Sequence, residues 1–413
     1  MKRYMTLLLV LLLVITACGK DATSEDASQQ DSAPVSDETQ AADNSTDAEG
    51  DVIKVAFIGN TTGDYQQYGI PVRNSMALWF DQLNADGGIN GKKVELLEYD
   101  DKADGIEAIN SYNLAKEDGA TAILGSVMTG PTIALADSTF EDNIPQMTAS
   151  ATAAGVTLID PEAETPEVRA NVFRSCFTDP YQGEKMAMYA KEKLGAQKVA
   201  VLFENGSDYS EGVKDKFIAT AEANGMEVVA SESFSTGDKD FRAQMTKITA
   251  AEPDAILLPI YYGEAGLAIT AARGAGFTGV LMGCDGWGSV KDYADAKDLE
   301  GSVYCSGYAP GTEATKPFEE AYKKAYASDV PNMFAPLGYD AAMLMTEGLK
   351  AAEAAGLTPN TPEYYQAVID GIKALKDVKG ITGSYQFDDQ NNPIKEAAII
   401  ELKDGQEVFK EMY

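Results

Sequence analysis

The stretch Ala122 to Thr152 carries two groups of hydroxyls, Ser126 with Thr129 and Ser150 with Thr152, each just after a short apolar run. Hydroxyls and unpaired backbone N–H groups at a helix start can hold a small anion such as a carboxylate without a buried cation. The spacing predicts strand, loop, helix, strand, loop. Ala122-Ile123-Leu124 is the first strand and Gln146-Met147 the second. Pro131 suits the first turn of the helix between them, where a missing N–H loses no hydrogen bond. In an open parallel sheet, ligands bind beyond the carboxyl ends of the strands, and both hydroxyl groups fall there. Taken alone, the same residues read more readily as ordinary helix caps, a common use of Ser and Thr. The rest of the chain shifts that balance.

Strands and helices alternate on both sides of this stretch, as in parallel sheets with crossover helices. Val52 to Ile58 is a buried strand that ends in the loop Asn60 to Gly69, with Pro71 expected to open the next helix. Later strands at Lys198 to Phe203, Asp254 to Pro259 and Gly279 to Met282 end in polar and aromatic residues: Tyr209, Tyr261-Tyr262 and Asp285-Gly286-Trp287. Gly383 to Phe387 and Glu396 to Leu402 read as paired strands around Asp388 to Pro393. Two lobes that each present polar groups at strand ends form a cleft when they face each other.

A chain of 413 residues exceeds what one hydrophobic core usually serves, so two lobes are expected. The net charge of −32 argues against nucleic acid and anionic membrane surfaces as partners. The chain has no histidine, which removes histidine triads, most zinc enzymes and the commonest general base. Ser126 and Ser150 therefore have no base beside them in sequence, and no enzyme activity is expected. Cys176, Cys284 and Cys305 show no metal-ligand spacing, so no metal is expected. Cys284 and Cys305 fall on strands that read as neighbours, which leaves a disulfide and two reduced core thiols both open.

Residues 1–17 have signal-peptide shape: Lys2 and Arg3, then an apolar run too short to span a bilayer. The run ends Ile15-Thr16-Ala17-Cys18, which resembles the bacterial lipobox. That resemblance implies a lipid on Cys18 and a protein anchored to the outer face of the cytoplasmic membrane, touching the membrane only through this lipid. Residues 18–51 are acidic and poor in large apolar side chains, as expected of a disordered tether.

From Val52 onward an ordered series of motifs appears. It begins with Thr62-Gly63, Tyr68-Gly69, Asn84-x-x-Gly87-Gly88-x-x-Gly91, Asp100-Asp101, Gly125-Ser126 and Ser150-Ala151-Thr152. Phe173-Arg174, Asp179 with Gln182-Gly183, Asp240-Phe241 and Tyr339-Asp340-Ala341 follow. The series resembles the leucine/isoleucine/valine-binding type of periplasmic binding protein, the extracytoplasmic receptor of a branched-chain amino-acid ABC importer. The resemblance runs from Val52 to the C-terminus. It implies an α/β, type I fold with two lobes, each a mostly parallel sheet flanked by helices, joined by three crossovers. On that basis the N-terminal lobe comprises 52–174 and 309–383, and the C-terminal lobe 175–308 and 384–413. The implied function is a monomeric receptor without a cofactor. It binds an amino acid, branched-chain and aliphatic, between closing lobes and delivers it to ABC transporter permease subunits.

The resemblance also assigns residues. Thr129 and Thr152 match carboxylate-binding hydroxyls, and Ser150 matches a position whose main chain helps hold the ammonium. Asp285 matches the second-lobe acid that pairs with the ammonium, Tyr209 and Tyr262 match second-lobe aromatics, and Tyr68 lines the side-chain pocket. Trp287 is a further candidate wall. The residues themselves leave other roles open: Tyr262 as a half-buried strand end, Asp285 as a cap, Tyr68 as plain packing. One departure stands out, because Thr62-Gly63-Asp64-Tyr65 replaces a Ser-Gly-Pro-like loop, so pocket size or polarity differs. The alternatives are a receptor for another small polar solute, such as an amide or short-chain amine, and a sensory ligand-binding domain.

Overall fold

A computed structural model describes residues 52–413. The signal segment, Cys18 and the acidic tether lie outside the described residues. The first strands and helices alternate as β1 (Val52–Gly59), α1 (Gln66–Ala85), β2 (Lys93–Asp100), α2 (Gly105–Glu117), β3 (Ala122–Gly125), α3 (Thr129–Asp142), β4 (Gln146–Thr148) and β5 (Val172–Arg174). They build an all-parallel sheet in the order β2-β1-β3-β4-β5. Strand β3 is buried along its whole length, as continuous apolar runs are when helices cover both faces. The strand order turns back at β1, so the loops leaving β1 and β3 diverge and open a crevice at the sheet's carboxyl edge.

A second series follows: α4 (Asp179–Glu192), β6 (Lys198–Glu204), α5 (Asp208–Ala223), β7 (Glu227–Phe234), α6 (Arg242–Ala250), β8 (Ala255–Leu258), α7 (Tyr262–Gly274), β9 (Val280–Gly283), α8 (Ala296–Leu299) and β10 (Val303–Ser306). After it come α9 (Lys316–Tyr326), α10 (Phe334–Ala354), α11 (Pro362–Lys373), β11 (Val378–Gly380), β12 (Gly383–Tyr385), β13 (Ala398–Lys403) and β14 (Gln406–Met412). The second sheet runs β14-β13-β10-β9-β8-β6-β7, parallel except for β13 and β14. Helix α10 returns to pack on α1, β3 and β4 of the first sheet, whereas β13 and β14 close the second. The chain therefore passes between the two sheets three times, after β5, after β10 and after β12.

Three elements differ from their sequence-based reading. Helix α1 begins at Gln66, so Pro71 sits inside it rather than opening it. Proline at that position frees the carbonyl four residues back, and Gln67 O takes a bond from Asn332 Nδ2 at 2.8 Å instead. The segments expected to pair around Asp388 to Pro393 do not pair with each other. β12 makes a small hairpin with β11, and β13 enters the large sheet between β10 and β14. Asp388 holds the intervening turn through the N–H groups of Gln390 and Asn392. Finally, β14 continues beyond the expected last strand. Asp404 and Gly405 turn the chain with φ of 52° and 73°, the positive values a two-residue hairpin turn needs.

Candidate functional site

Loops from both sheets meet around a narrow cavity with about 10 Å³ of free space. On the first-sheet side, the chain leaving β3 turns through Val127 and Met128 into α3. No side chain caps that helix, unlike α2, α4, α5 and α11, which begin on Asp104, Thr178, Ser207 and Thr361. The N–H groups of its first turn are therefore left to whatever sits in the cavity. Thr129 stands in that turn, 5% exposed, with its side chain facing the cavity. The cap role that the residue type alone favours is not what Thr129 does.

The loop after β4 is stitched to the loop after β3. Thr148 donates to Ser126 O at 2.6 Å, and Ser150 donates to Val127 O at 2.8 Å. These bonds hold Ser150 and Thr152 at the cavity wall, where both are buried. Thr152 also meets α4, where its carbonyl accepts from Asp179 N at 3.0 Å.

The second-sheet side is acidic. Asp285 follows β9 in a short 3-10 turn and is 3% exposed. Its N–H donates to Gln182 Oε1 at 2.9 Å, and its Oδ1 accepts from Gly286 N at 3.0 Å. Burial pushes its carboxyl up to about 6, and bonds from Gln182, Tyr209 and the Gly286 N–H hold it from rising further. Beside it lies Asp179, fully buried, with Oδ2 lacking any partner. Burial, then the charge of Asp285, drives the Asp179 carboxyl well above the usual carboxylate range. Arg174 is nearby, but its guanidinium donates to Ala151 O, Ala153 O and Thr157 Oγ1 rather than to either acid. No lysine or arginine lines the cavity. A buried acid on the cavity with no cation bonded to it attracts one.

Aromatic rings close the remainder. Tyr68, from α1, donates to Gly286 O at 2.6 Å and accepts from Tyr262 N at 3.2 Å, so one hydroxyl ties the two halves together. Phe334, the first residue of α10, packs on Tyr68 with ring centres 4.3 Å apart. Tyr209, in the first turn of α5, accepts from Gly286 N at 3.1 Å and stacks on Tyr261 at 5.1 Å.

The structure thus brings together Tyr68, Thr129, Ser150, Thr152, Tyr209 and Asp285 around one cavity. It does not bring in Tyr262. Tyr261 is the ring on the cavity; Tyr262 packs on Tyr293 at 4.5 Å and donates its hydroxyl to Asp64 O. Tyr261 is still extended and Tyr262 is the first helical residue, and one step along extended chain reverses the face a side chain takes. Trp287 is not a wall either. It is fully buried beneath Gly283, and its indole N–H donates to Leu258 O at 2.9 Å. Cys284, just past β9, and Cys305, on the adjacent β10, are free buried thiols. Met128, Tyr261, Phe334 and the buried Asp179 were not singled out as site residues from the sequence. The signal for Asp179 was present, as an acid three residues before Gln182 at a helix start. Phe334 carries no such mark. Among the described residues, no cluster of ligating side chains is suited to a metal and no helix is long and apolar enough to cross a membrane.

A cleft between two parallel sheets, with strand-end loops of both halves facing one cavity, is the architecture of a two-lobed solute receptor. The family model described as "Periplasmic binding protein" matches residues 52–407, and the chain belongs to that family. It is similar to the leucine-, isoleucine-, valine-, threonine- and alanine-binding protein of Pseudomonas aeruginosa, at 30% identity over 74% of this chain and 80% of that protein. Among solved structures it is similar to the branched-chain amino acid transporter substrate binding protein LivJ of Streptococcus pneumoniae in complex with isoleucine. That likeness has 30% identity and a TM-score of 0.77, covering 87% of this chain and 98% of the other. It is likewise similar to the leucine binding protein LivK of Thermotoga maritima, at 28% identity and a TM-score of 0.77, covering 87% and 98%.

Proposed function

We propose that this protein is the extracytoplasmic receptor of an ABC importer for amino acids, with branched-chain aliphatic amino acids as its guests. The observation that carries the reading is the opposed chemistry of the cavity. Hydroxyls and an uncapped helix start share the cavity with the Asp285 carboxylate, and Asp179 is buried beside that acid. A free amino acid has matching ends. Its carboxylate would take the Thr129 and Thr152 hydroxyls and the α3 N–H groups. Its ammonium would take Asp285 and the main chain at Ser150, and its side chain would lie among Tyr68, Tyr209, Tyr261 and Phe334. The names of the relatives from Pseudomonas and Streptococcus support the same guest class.

In this reading the lobes, 52–174 with 309–383 and 175–308 with 384–413, move as bodies about the three crossovers. Each half supplies one end of the site, so binding and closure are coupled. The guest is released unchanged to permease subunits, and no catalysis is involved. The lipobox-like end places a lipid on Cys18, with residues 18–51 as spacer and a monomer as the working unit. A thermal-shift screen of the purified protein against the twenty amino acids tests the guest class. Stabilisation by leucine, isoleucine or valine is expected, and a flat response to every amino acid would remove the reading.

A further inference from the structure

The loop after β1 is where this chain departs from the resemblance, and the structure gives that departure a location. Tyr65 of this loop meets Tyr261 edge-on at 5.1 Å and Tyr262 at 6.5 Å. Tyr261 lines the narrow inner cavity. Tyr65 and Tyr262 line a separate outer pocket of about 460 Å³, open to solvent and floored by the Lys239–Glu264 ion pair. The Tyr65–Tyr261 contact thus stands between two spaces. The inner one holds about 10 Å³ of free space and the outer one about 460 Å³.

Tyr65 is also held in place. Its carbonyl accepts from Asn60 Nδ2 at 2.6 Å and Tyr68 N at 3.0 Å. The neighbouring Asp64 carbonyl accepts from the Tyr262 hydroxyl across the cleft. A ring fixed at both its backbone and its face cannot swing aside cheaply to admit a longer guest.

We propose that Tyr65 sets the upper size limit of the guest, bracing Tyr261 as a partition between the inner cavity and the outer pocket. This deepens the amino-acid reading and rests on it. Small aliphatic side chains make the least demand on the partition, and bulky aromatic ones run into it. Shortening Tyr65 joins the two spaces and lets a large side chain reach toward Leu267 and Tyr293.

The test is calorimetric titration of alanine, valine, leucine and phenylalanine into the wild-type protein and Tyr65→Ala. The expected result is that the phenylalanine-to-valine affinity ratio rises about tenfold or more in the variant, the scale on which hydrophobic pockets discriminate by size. If the alanine variant does not fold, Tyr65→Val serves, with the same direction expected. A ratio within about twofold of wild type, in a variant that still binds valine, overturns the proposal while leaving the amino-acid reading intact. A wild-type protein that binds none of the four overturns both.

Discussion

The cavity wall built from the loops after β3 and β4 presents hydroxyls and no acid. The wall built from α5 and the loop after β9 presents the buried carboxyl of Asp285, with Asp179 of α4 buried beside it. The first wall is largely satisfied in itself, since Thr148 and Ser150 spend their hydroxyls on the carbonyls of Ser126 and Val127. The second is not, because Asp179 Oδ2 has no partner and both carboxyls are raised by burial. The contrast teaches where selectivity for a zwitterion comes from. A neutral wall can be stable without a guest. An acid wall is destabilising until a cation arrives, so it rewards the guest that brings one.

The largest effect that could break this comparison is at Asp285. Asp285→Asn keeps the shape and an oxygen to accept from Gly286, and removes the charge. Losing one member of a buried ion pair costs about 2–5 kcal/mol, so affinity for the amino acid should fall about thirtyfold or more by calorimetry. The same change should stabilise the free protein at neutral pH. A carboxyl raised from 3.8 to about 6 opposes folding at pH 7 by about 3 kcal/mol, measurable by urea unfolding. A variant that binds normally, or that loses stability, would place the ammonium elsewhere.

The pH dependence follows with a fixed sign. The Asp285 carboxyl is raised in the folded state, so its stabilising contribution is complete below pH 3.8 and is lost as pH rises through about 6. The free protein therefore gains stability from this group on acidification. Binding moves the other way, because only the ionised acid attracts an ammonium. The dissociation constant should rise up to about tenfold per pH unit below about 6, and this slope should be absent in Asp285→Asn. Asp179 faces the same acid, with Arg174 and Asp208 also acting on it, and burial with the Asp285 charge holds its carboxyl well above the usual carboxylate range.

A smaller effect is expected on the neutral wall. Thr129→Val keeps the volume and removes the hydroxyl. A hydrogen bond to a charged group is worth about 1.5–3 kcal/mol, so amino-acid affinity should drop about tenfold or more. Stability should change little, because Thr129 caps no helix and α3 already starts without a side-chain partner. A clear loss of thermal stability with unchanged binding would return Thr129 to the role of a structural residue.

The alternation of strands and helices was readable because continuous apolar runs such as Ala122 to Gly125 and Ala255 to Leu258 end in turn residues and are buried on both faces. Polar residues at strand ends were readable for the same reason, since a sheet edge is where a polar side chain has somewhere to go. What escaped was whatever depends on one step of chain geometry or on distant packing. Tyr261 and Tyr262 are identical in type, and only the backbone change from extended to helical at α7 decides which faces the cavity. Phe334 reaches the site because α10 returns to α1 across a long stretch of sequence, with no polar residue to announce it. Pro71 looked like a helix start, and becomes an interior residue because Asn332 takes up the carbonyl it frees.

The mildest test concerns the one hydroxyl that belongs to both walls. Tyr68 donates to Gly286 O and accepts from Tyr262 N, so these bonds exist only while the halves are together. Tyr68→Phe keeps the ring against Phe334 and removes both. At about 0.5 kcal/mol each, the low end for a net hydrogen bond, the two together shift the closed-to-open ratio about fivefold. Affinity falls by the full factor only if the free protein is mostly open, because the competent fraction then scales with that ratio. If the free protein is mostly closed, the same shift barely changes the competent fraction. Calorimetry paired with the radius of gyration of the free protein therefore separates the cases. Weaker binding with unchanged size marks an open resting state, and a larger radius with nearly unchanged binding marks a closed one. No change in either would show that the Tyr68 hydroxyl contributes nothing to holding the acid wall against the neutral one.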